Sequence, residues 1–377
     1  MTFSLAAVPL QKKVTPELAV VVAGTGNVGV EFLRLFSRQQ QRLAGRLNLT
    51  LAGVFNSRQA LLSPLVDSQN WSAALADSRG YQLADLVAYL KQLPTPKVLV
   101  DITPSQEFAR HYPVFIAAGC HLISANKQGV TLPGKEYQAI QAALQQQQLN
   151  WYSNTTCGAG IPVQRVMQEL LDSGDEIQRI SGVFSGTLSW LLCRYDGSKP
   201  FSEFVLEAQA LGYTEPDPRD DLSGKDVQRK LLVLARELQL PLELSDIQLD
   251  PLLPAGLEIG SWAEFWQQRE QLDSFLLKVY QQASLEHKVL RYAASLTLKG
   301  DTIIADVKLV AVAEKDPMAA LTPCDNMFVI ESGWYKQSPL VLKGPGAGRE
   351  VTAGGLHADL AVLAQKVIQT QQGRIAG

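Results

Sequence analysis

An α/β fold, in which a mostly parallel sheet is followed by a second α+β unit, is predicted by three features of the sequence. Short apolar runs alternate with helical patterns over the first 150 residues, a glycine-rich turn follows the first run, and the alternation stops after Trp151. Strands of a parallel sheet read as near-continuous apolar runs because helices cover both of their faces. The alternation therefore carries the class, and the glycine turn carries its Rossmann-like form.

In chain order, residues 1–16 form a mildly apolar N-terminal lead-in. Lys12 and Lys13 follow its apolar part and no positive charge precedes it, which is not the order of a signal peptide. Residues 17–150 are expected to be a nucleotide-binding domain with a Rossmann-like, mostly parallel sheet. Leu18–Ala23, Leu49–Phe55, Lys97–Ile102 and Cys120–Ala125 read as strands, with helical patterns at Val28–Phe36, Ala84–Gln92, Glu107–Ala118 and Lys135–Gln147. Residues 151–343 form the second domain. Helices dominate Pro162–Leu240, the acidic, proline-containing stretch Thr214–Asp221 interrupts them, and a Leu- and Pro-rich connector covers Leu249–Leu257. Strand-like runs follow at Val289–Leu296, Ile303–Val312 and Met327–Ile330. Helices followed by strands, without regular alternation, predict an α+β architecture. Residues 344–377 hold a glycine-rich turn at Gly344–Gly348 and a helix from Gly355 to Gln371 that returns to the nucleotide domain. The Gln runs at 39–41 and 145–148 read as exposed helix surface.

Composition excludes several classes. With 46% hydrophobic and 19% charged residues, a chain of 377 residues can bury large cores, and its net charge of −3 has no basic stripe to meet nucleic acid. No apolar run approaches the ~18 residues of a membrane span, so nothing is expected to cross a membrane, and cysteines without a pairing pattern suit a cytoplasmic protein. The four cysteines, Cys120, Cys157, Cys193 and Cys324, make no CxxC pair and read as free thiols. The four histidines show no ligand spacing, which argues against a zinc site.

Gly24-Thr25-Gly26-Asn27-Val28-Gly29 follows the first strand and opens a helix. The first glycine allows a tight turn, the second lets a pyrophosphate approach the backbone, and the third lets helix and strand pack closely. The free N–H groups of the helix start attract the phosphates. The second strand ends at Asn56-Ser57-Arg58, where an NAD-selective site would carry an acid for the ribose hydroxyls. Arg58 with Ser57 suits a 2′-phosphate instead, so NADP is expected, with NAD the alternative. Thr103 and Ser105 lie beyond the strand end at Val100–Ile102, and Lys127 follows the next strand at Ser124-Ala125-Asn126. Ligands of open α/β sheets sit at these carboxyl ends, so Lys127 is expected to face nicotinamide and substrate.

The stretch from Gly212 to Lys230 has two prolines and four acids, Glu215, Asp217, Asp220 and Asp221, ahead of a helix. Ser223 and Asp226 fit a capping box, placing the helix start near Gly224. Asp226 and Lys230, four residues apart, then share one face. Two readings stand at this point. In one, Asp226 and Lys230 are merely a helix-start acid and its salt-bridge partner. In the other, Glu215 and Asp226 hold a substrate ammonium, and Lys230, its pKa lowered by burial and a neighbouring cation, exchanges protons near neutrality.

The segment G-Y-T-E-P-D-P-R-D-D-L-S-G-x-D-V-x-R-K at Gly212–Lys230 closely resembles the homoserine dehydrogenase signature, most of all that of the dehydrogenase half of bifunctional aspartokinase/homoserine dehydrogenases. The resemblance runs from about Leu18 to the C-terminus, supported by Gly24–Gly29, Asn56-Ser57-Arg58, Asp101–Ser105, Ala125-Asn126-Lys127, Gly158–Pro162, Ser185–Ser189 and Gly344–Gly355. It implies NAD(P)-dependent interconversion of L-homoserine and L-aspartate 4-semialdehyde by direct hydride transfer, in threonine, methionine and isoleucine biosynthesis. It also implies that Lys230 is the proton donor and acceptor, that Lys127 assists it and touches the nicotinamide, and that Glu215 and Asp226 bind homoserine. Asp221 would orient Lys230 or substrate, Tyr213 and Thr187 would line the pocket, and Gly212 and Gly348 would approach the nucleotide. A homodimer paired through the second domain's sheet is implied as well. Many relatives bind a monovalent cation, sodium, before Gly158. Here Asn154 matches the usual acid and Cys157 the usual valine, leaving the Asn154 side chain and the backbone carbonyls of Cys157, Ala159 and Ile161 as ligands. No kinase-like segment is read before Leu18 and no ACT-like segment after the last helix, so threonine feedback through such a domain is not expected.

Two rivals are weighed against this reading. Ser153-Asn154-Thr155-Thr156-Cys157 superficially resembles the nucleophilic-cysteine segment of a phosphorylating aldehyde dehydrogenase, but no histidine stands in a telling context to activate the thiol. A non-catalytic NADP-binding sensor or regulatory subunit would keep the glycine turn but would need neither lysine nor the acid pair.

Overall fold

The computed structural model describes residues 15–93 and 96–376, so most of the lead-in at 1–16 lies outside the described residues. Two six-stranded sheets organise the chain. The first has strand order β3-β2-β1-β4-β5-β6, from β1 (Glu17–Ala23), β2 (Asn48–Phe55), β3 (Ala60–Leu62), β4 (Lys97–Asp101), β5 (Cys120–Ser124) and β6 (Trp151–Tyr152). All its pairings are parallel except that of the edge strand β3 with β2. β1 lies between β2 and β4, so the chain departs in opposite directions on its two sides. That crevice at the carboxyl end of β1 is where ligands of open α/β sheets bind.

Strand alternation sorts the core. Leu18, Val20 and Val22 pack with Phe32 and Phe36 of the helix Asn27–Leu43, whereas Ala19, Val21 and Ala23 face the opposite cluster with Phe115 and Ile116. The four expected strands are these central ones. The expected helix Glu107–Ala118 is broken at His111 into Gln106–Arg110 and Tyr112–Ala117, because Pro113 suits the first turn of a new helix better than the interior of an old one. Gln39 is buried, not exposed as its run suggested.

The second sheet has order β12-β11-β7-β9-β10-β8, from β7 (Ile177–Val183), β8 (Gln248–Leu249), β9 (Lys288–Lys299), β10 (Thr302–Ala313), β11 (Asp325–Ser332) and β12 (Leu340–Pro345). Its pairings are antiparallel apart from that of β8 with β10. Helices Gly186–Arg194 and Lys225–Glu237 bury Leu188, Leu231 and Leu232 in the large core shared with Phe184 and Phe328, whose rings stack at 4.6 Å. Two strands correct the sequence reading. β7 lies in a stretch read as helical, because Ile177, Ile180 and Val183 recur every three residues like one helix face. β12 absorbs Gly344, so the glycine-rich turn begins only after Pro345.

The last helix, Arg349–Ala376, starts six residues before the expected Gly355. Gly355 is an interior position of close contact, since a Cβ there would come within 2.5 Å of the Thr155 side chain. The helix returns to the first sheet and buries Leu356, Leu360 and Leu363 beside Phe32 and Phe36. Leu360 is fully buried. Leu360→Ala is expected to lower the unfolding free energy by about 2–5 kcal/mol, read by urea denaturation. A loss below about 1 kcal/mol would mean that this helix is not part of the nucleotide unit's core.

Candidate active site

The carboxyl ends of β1, β2, β4 and β5 gather the expected nucleotide residues. Gly24 has φ +101°, and a Cβ there would meet the Ile102 carbonyl oxygen at 2.8 Å, so only glycine lets the two strand ends approach. Gly26 precedes the helix Asn27–Leu43 without any side-chain cap, and a Cβ there would meet nothing within 4 Å. Thr25 sits between these two glycines, and Asn27, Val28 and Gly29 open the first turn, whose uncapped N–H groups form a cradle fitted to phosphate. At the end of β2, the Asn56 side-chain oxygen accepts the N–H groups of Arg58 at 2.8 Å and Gln59 at 3.0 Å. Asn56 thus shapes a turn that leaves Ser57 and Arg58 exposed. Ser105 accepts the Phe108 N–H at 3.1 Å and caps a short helix, leaving Thr103 at its approach.

Beside this cradle one carboxylate joins both units. Asp226 accepts Lys127 at 2.9 Å on Oδ1 and Lys230 at 2.8 Å on Oδ2. Lys127 opens the short helix after β5, and Asp226 and Lys230 lie one turn apart on the helix Lys225–Glu237. Lys230 is buried and also donates to the Phe184 carbonyl at 2.8 Å. Desolvation alone would lower the Lys230 pKa, but Asp226 outweighs it and the net shift is upward. Desolvation likewise pushes the Asp226 carboxyl up, yet the two lysines hold it well below the usual carboxylate range. The expected lowered Lys230 pKa is therefore corrected: in the free protein this lysine is held as an ammonium. The expected capping box is corrected too. Ser223 donates to the Asp220 carbonyl at 2.6 Å, Gly224 at φ +72° makes the N-cap without a side-chain bond, and Asp226 is committed to the lysines.

Around this centre stand the other expected substrate residues. The Glu215 N–H donates to Asp221 at 2.8 Å, and Thr187 donates to the Tyr213 carbonyl at 2.5 Å. Desolvation, with the Glu215 and Asp226 charges nearby, raises the Asp221 pKa to about 6. Glu215 and Tyr213 are exposed at the mouth, and the loop between them and the helix is braced by the Asp217–Arg219 ion pair. Gly212 at φ +74° is open to solvent, and Gly348 at φ +130° precedes the last helix; no hydrogen bond ties either to the lysine pair among the described residues. Two participants escaped the sequence reading. The Phe184 carbonyl that holds Lys230 has no sequence signal, and Asn326, which donates to the same carbonyl at 3.1 Å, hides at the start of an apolar strand. Asp101 stands out at its strand end but has no role in that reading.

The implied sodium loop can be tested on its donors. The Ile161 carbonyl accepts the Val163 N–H at 2.8 Å and the Asn154 side-chain N–H at 3.3 Å. The Asn154 side-chain nitrogen is thus spent on Ile161, while its oxygen is buried with no hydrogen-bond partner among the described residues, so the loop keeps a free oxygen ligand that fits a cation. Among the described residues, no group of three or more His, Cys, Asp or Glu is placed to hold a metal, and no helix is long and apolar enough to cross a membrane. Cys157 is buried beneath the Lys230 backbone, and burial pushes its thiol up to about 12 despite the nearby Lys230 charge. It is not an activated nucleophile. In native protein at pH 7, Cys157 is expected to resist iodoacetamide and to react only after unfolding, as read by peptide mass mapping. Rapid labelling with loss of activity would restore the cysteine rival.

Comparison with known proteins agrees across the chain. A family profile described as homoserine dehydrogenase matches residues 162–361, and one described as the homoserine dehydrogenase NAD-binding domain matches residues 24–154. The Escherichia coli bifunctional aspartokinase/homoserine dehydrogenase 2 is 42% identical over 355 residues, 92% of this chain and 43% of its own length. The homoserine dehydrogenase of Emericella nidulans is 34% identical over 368 residues, 92% of this chain and 98% of its own length. The chain thus spans about two fifths of the bifunctional relatives it matches and nearly all of the single-function one. In fold it is similar to a hyperthermophilic archaeal homoserine dehydrogenase solved in complex with NADPH, at 19% identity and a TM-score of 0.71, covering 93% of this chain and 98% of that one.

Proposed function

Since the chain belongs to the homoserine dehydrogenase family and carries that family's NAD(P)-binding domain, we propose that it interconverts L-aspartate 4-semialdehyde and L-homoserine, with NADP preferred over NAD. The observation that carries this reading is the single carboxylate Asp226 shared by Lys127 and Lys230 beside the nucleotide cradle. A reduced nicotinamide held at the Gly24–Gly29 cradle would supply the hydride. Lys230, held protonated by Asp226, gives a proton to the aldehyde oxygen as it becomes an alcohol; in reverse, neutral Lys230 takes that proton back. Lys127 neutralises charge developing on the same oxygen. Glu215 at the mouth and Asp226 within hold the substrate ammonium, and Asp221, fixed by the Glu215 N–H, turns this loop toward Lys230. Thr187 and Tyr213 wall the pocket, while Gly212 and Gly348 let the backbone near the nucleotide. Exposed Arg58 with Ser57 receives the 2′-phosphate.

The same proposal covers assembly and ions. A homodimer through the second sheet is supported by apolar side chains left exposed on its strands at Val289, Ile304 and Val341. A monovalent cation would be held by the Asn154 side-chain oxygen, buried without a partner among the described residues, together with the backbone carbonyls of Cys157, Ala159 and Ile161. The nucleotide unit is assigned to residues 17–150, the substrate and dimerisation unit to 151–343, and the remainder to the turn and helix that return to the first sheet.

The test is absorbance of the reduced nicotinamide with purified protein, L-homoserine and NADP or NAD. Lys230→Ala is expected to lower kcat by roughly 10²–10⁴-fold. Alcohol oxidation needs neutral Lys230, so its rate should rise with pH on an alkaline limb. Asp226→Asn removes the charge that raises the Lys230 pKa, leaving desolvation to lower it, and should move that limb to lower pH. A limb that stays in place would take the proton from Lys230 and give it to another group. Nucleotide binding without turnover would favour the sensor reading instead.

A further inference from the structure

The carboxylate of Asp101, at the last residue of β4, is almost wholly buried beneath the nucleotide cradle. Three donors converge on it. The Thr103 N–H reaches Oδ1 at 2.8 Å, and the Asn126 side-chain N–H at 2.9 Å and the Tyr112 hydroxyl at 2.6 Å both reach Oδ2. Each donor belongs to a different piece of the site. Thr103 begins the loop after β4. Asn126 ends the loop after β5, and its oxygen accepts the Gln128 N–H at 3.1 Å, capping the short helix whose first residue is Lys127. Its amide nitrogen also donates to the Ser105 carbonyl at 2.8 Å. Tyr112 lies against Gly129 of that same short helix, where a Cβ would come within 2.7 Å of its ring.

We infer that Asp101, acting with Asn126, is a positioning residue: it fixes the loop that approaches the nucleotide and the turn that presents Lys127 as one rigid piece. This rests on the homoserine dehydrogenase reading only for Lys127's part in turnover. The chemistry of the hub favours an ionised acid. A carboxylate accepts all three donors at once, whereas an amide in its place would set its own NH₂ against an N–H and leave one buried donor unpaired. Desolvation pushes the Asp101 pKa up, and the Tyr112, Asn126 and Thr103 bonds offset only part of that rise. The network therefore transmits placement between cofactor and lysine without touching substrate.

The experiment compares wild type with Asp101→Asn, Asn126→Ala, their double variant and Tyr112→Phe. NADPH affinity is read by its fluorescence without substrate, alongside kcat, the KM for L-homoserine and the melting temperature. Losing a hydrogen bond to a buried charge is expected to weaken NADPH and lower kcat by roughly tenfold in each of the first two variants. The KM for homoserine should be unchanged, and the double variant should be no worse than the weaker single, because both act through one contact. Tyr112→Phe keeps the ring against Gly129 and should show the same pattern at smaller size. It decides the matter if Asp101→Asn does not fold. Unaltered NADPH affinity in Asn126→Ala and Tyr112→Phe, or kcat losses that multiply in the double variant, would overturn the inference. Failure of the wild type to turn over homoserine would instead overturn the functional reading and leave the NADPH titrations to judge Asp101.

Discussion

Two lysines on one carboxylate is the constraint on which the site depends. Lys127 comes from the nucleotide unit and Lys230 from the helix of the second unit, and neither ammonium would be stable so close to the other without Asp226 between them. Like charges a few ångströms apart repel by several kcal/mol at the reduced dielectric of a partly buried cleft. A shared anion converts that repulsion into a clamp across the cleft. The position of Asp226 therefore fixes how the two units meet, and removing it would leave a buried lysine with an uncompensated charge.

That clamp needs stiff supports, and both are long-range. The helix bearing Asp226 and Lys230 begins at Gly224, whose left-handed backbone and missing side chain let it sit against the Tyr292 hydroxyl of β9. On the nucleotide side, Lys127 rides on a helix of one turn, too short to hold its own shape. Its rigidity comes from Asn126, Asp101 and Tyr112 beneath it. The last helix adds a second tie by passing from the second sheet back over the first, packing Leu356, Leu360 and Leu363 on Phe32 and Phe36. The two units are thus tied by charge at Asp226 and by apolar packing along the last helix.

Much of this was legible in the sequence, and the pattern of misses is physical. The parallel sheet was readable because strands buried on both faces are written as unbroken apolar runs, and the cradle because only glycine tolerates Gly24's conformation. Glu215, Asp226, Lys127 and Lys230 stood out as charges at strand ends and helix starts. β7 was not legible, since Ile177, Ile180 and Val183 share a helical spacing and only pairing with β9 and β11 decides the conformation. Nor was the capping box rejected by the sequence: Ser223 and Asp226 satisfy its spacing, and only Lys127, 99 residues away, draws the carboxylate elsewhere. A backbone acceptor such as the Phe184 carbonyl cannot be read from residue types at all.

The sequence expected a lysine with a lowered pKa, and the free protein holds it raised; the proposed reaction reconciles the two. In the free site Lys230 shares Asp226's charge, among the described residues, with Lys127 alone. A substrate ammonium bound by Asp226 and Glu215 would add a third cation to the same anion. Its field lowers the Lys230 pKa directly and draws on the carboxylate that had raised it. Substrate binding would then move Lys230 from a locked ammonium toward a group able to exchange a proton, at the moment the reacting oxygen arrives. A site built this way keeps its acid charged while empty, and its donor strength is set by the substrate's own charge. An analogue lacking the amine would meet an acid held too tightly by Asp226, so discrimination against it would fall on the chemical step as well as on binding.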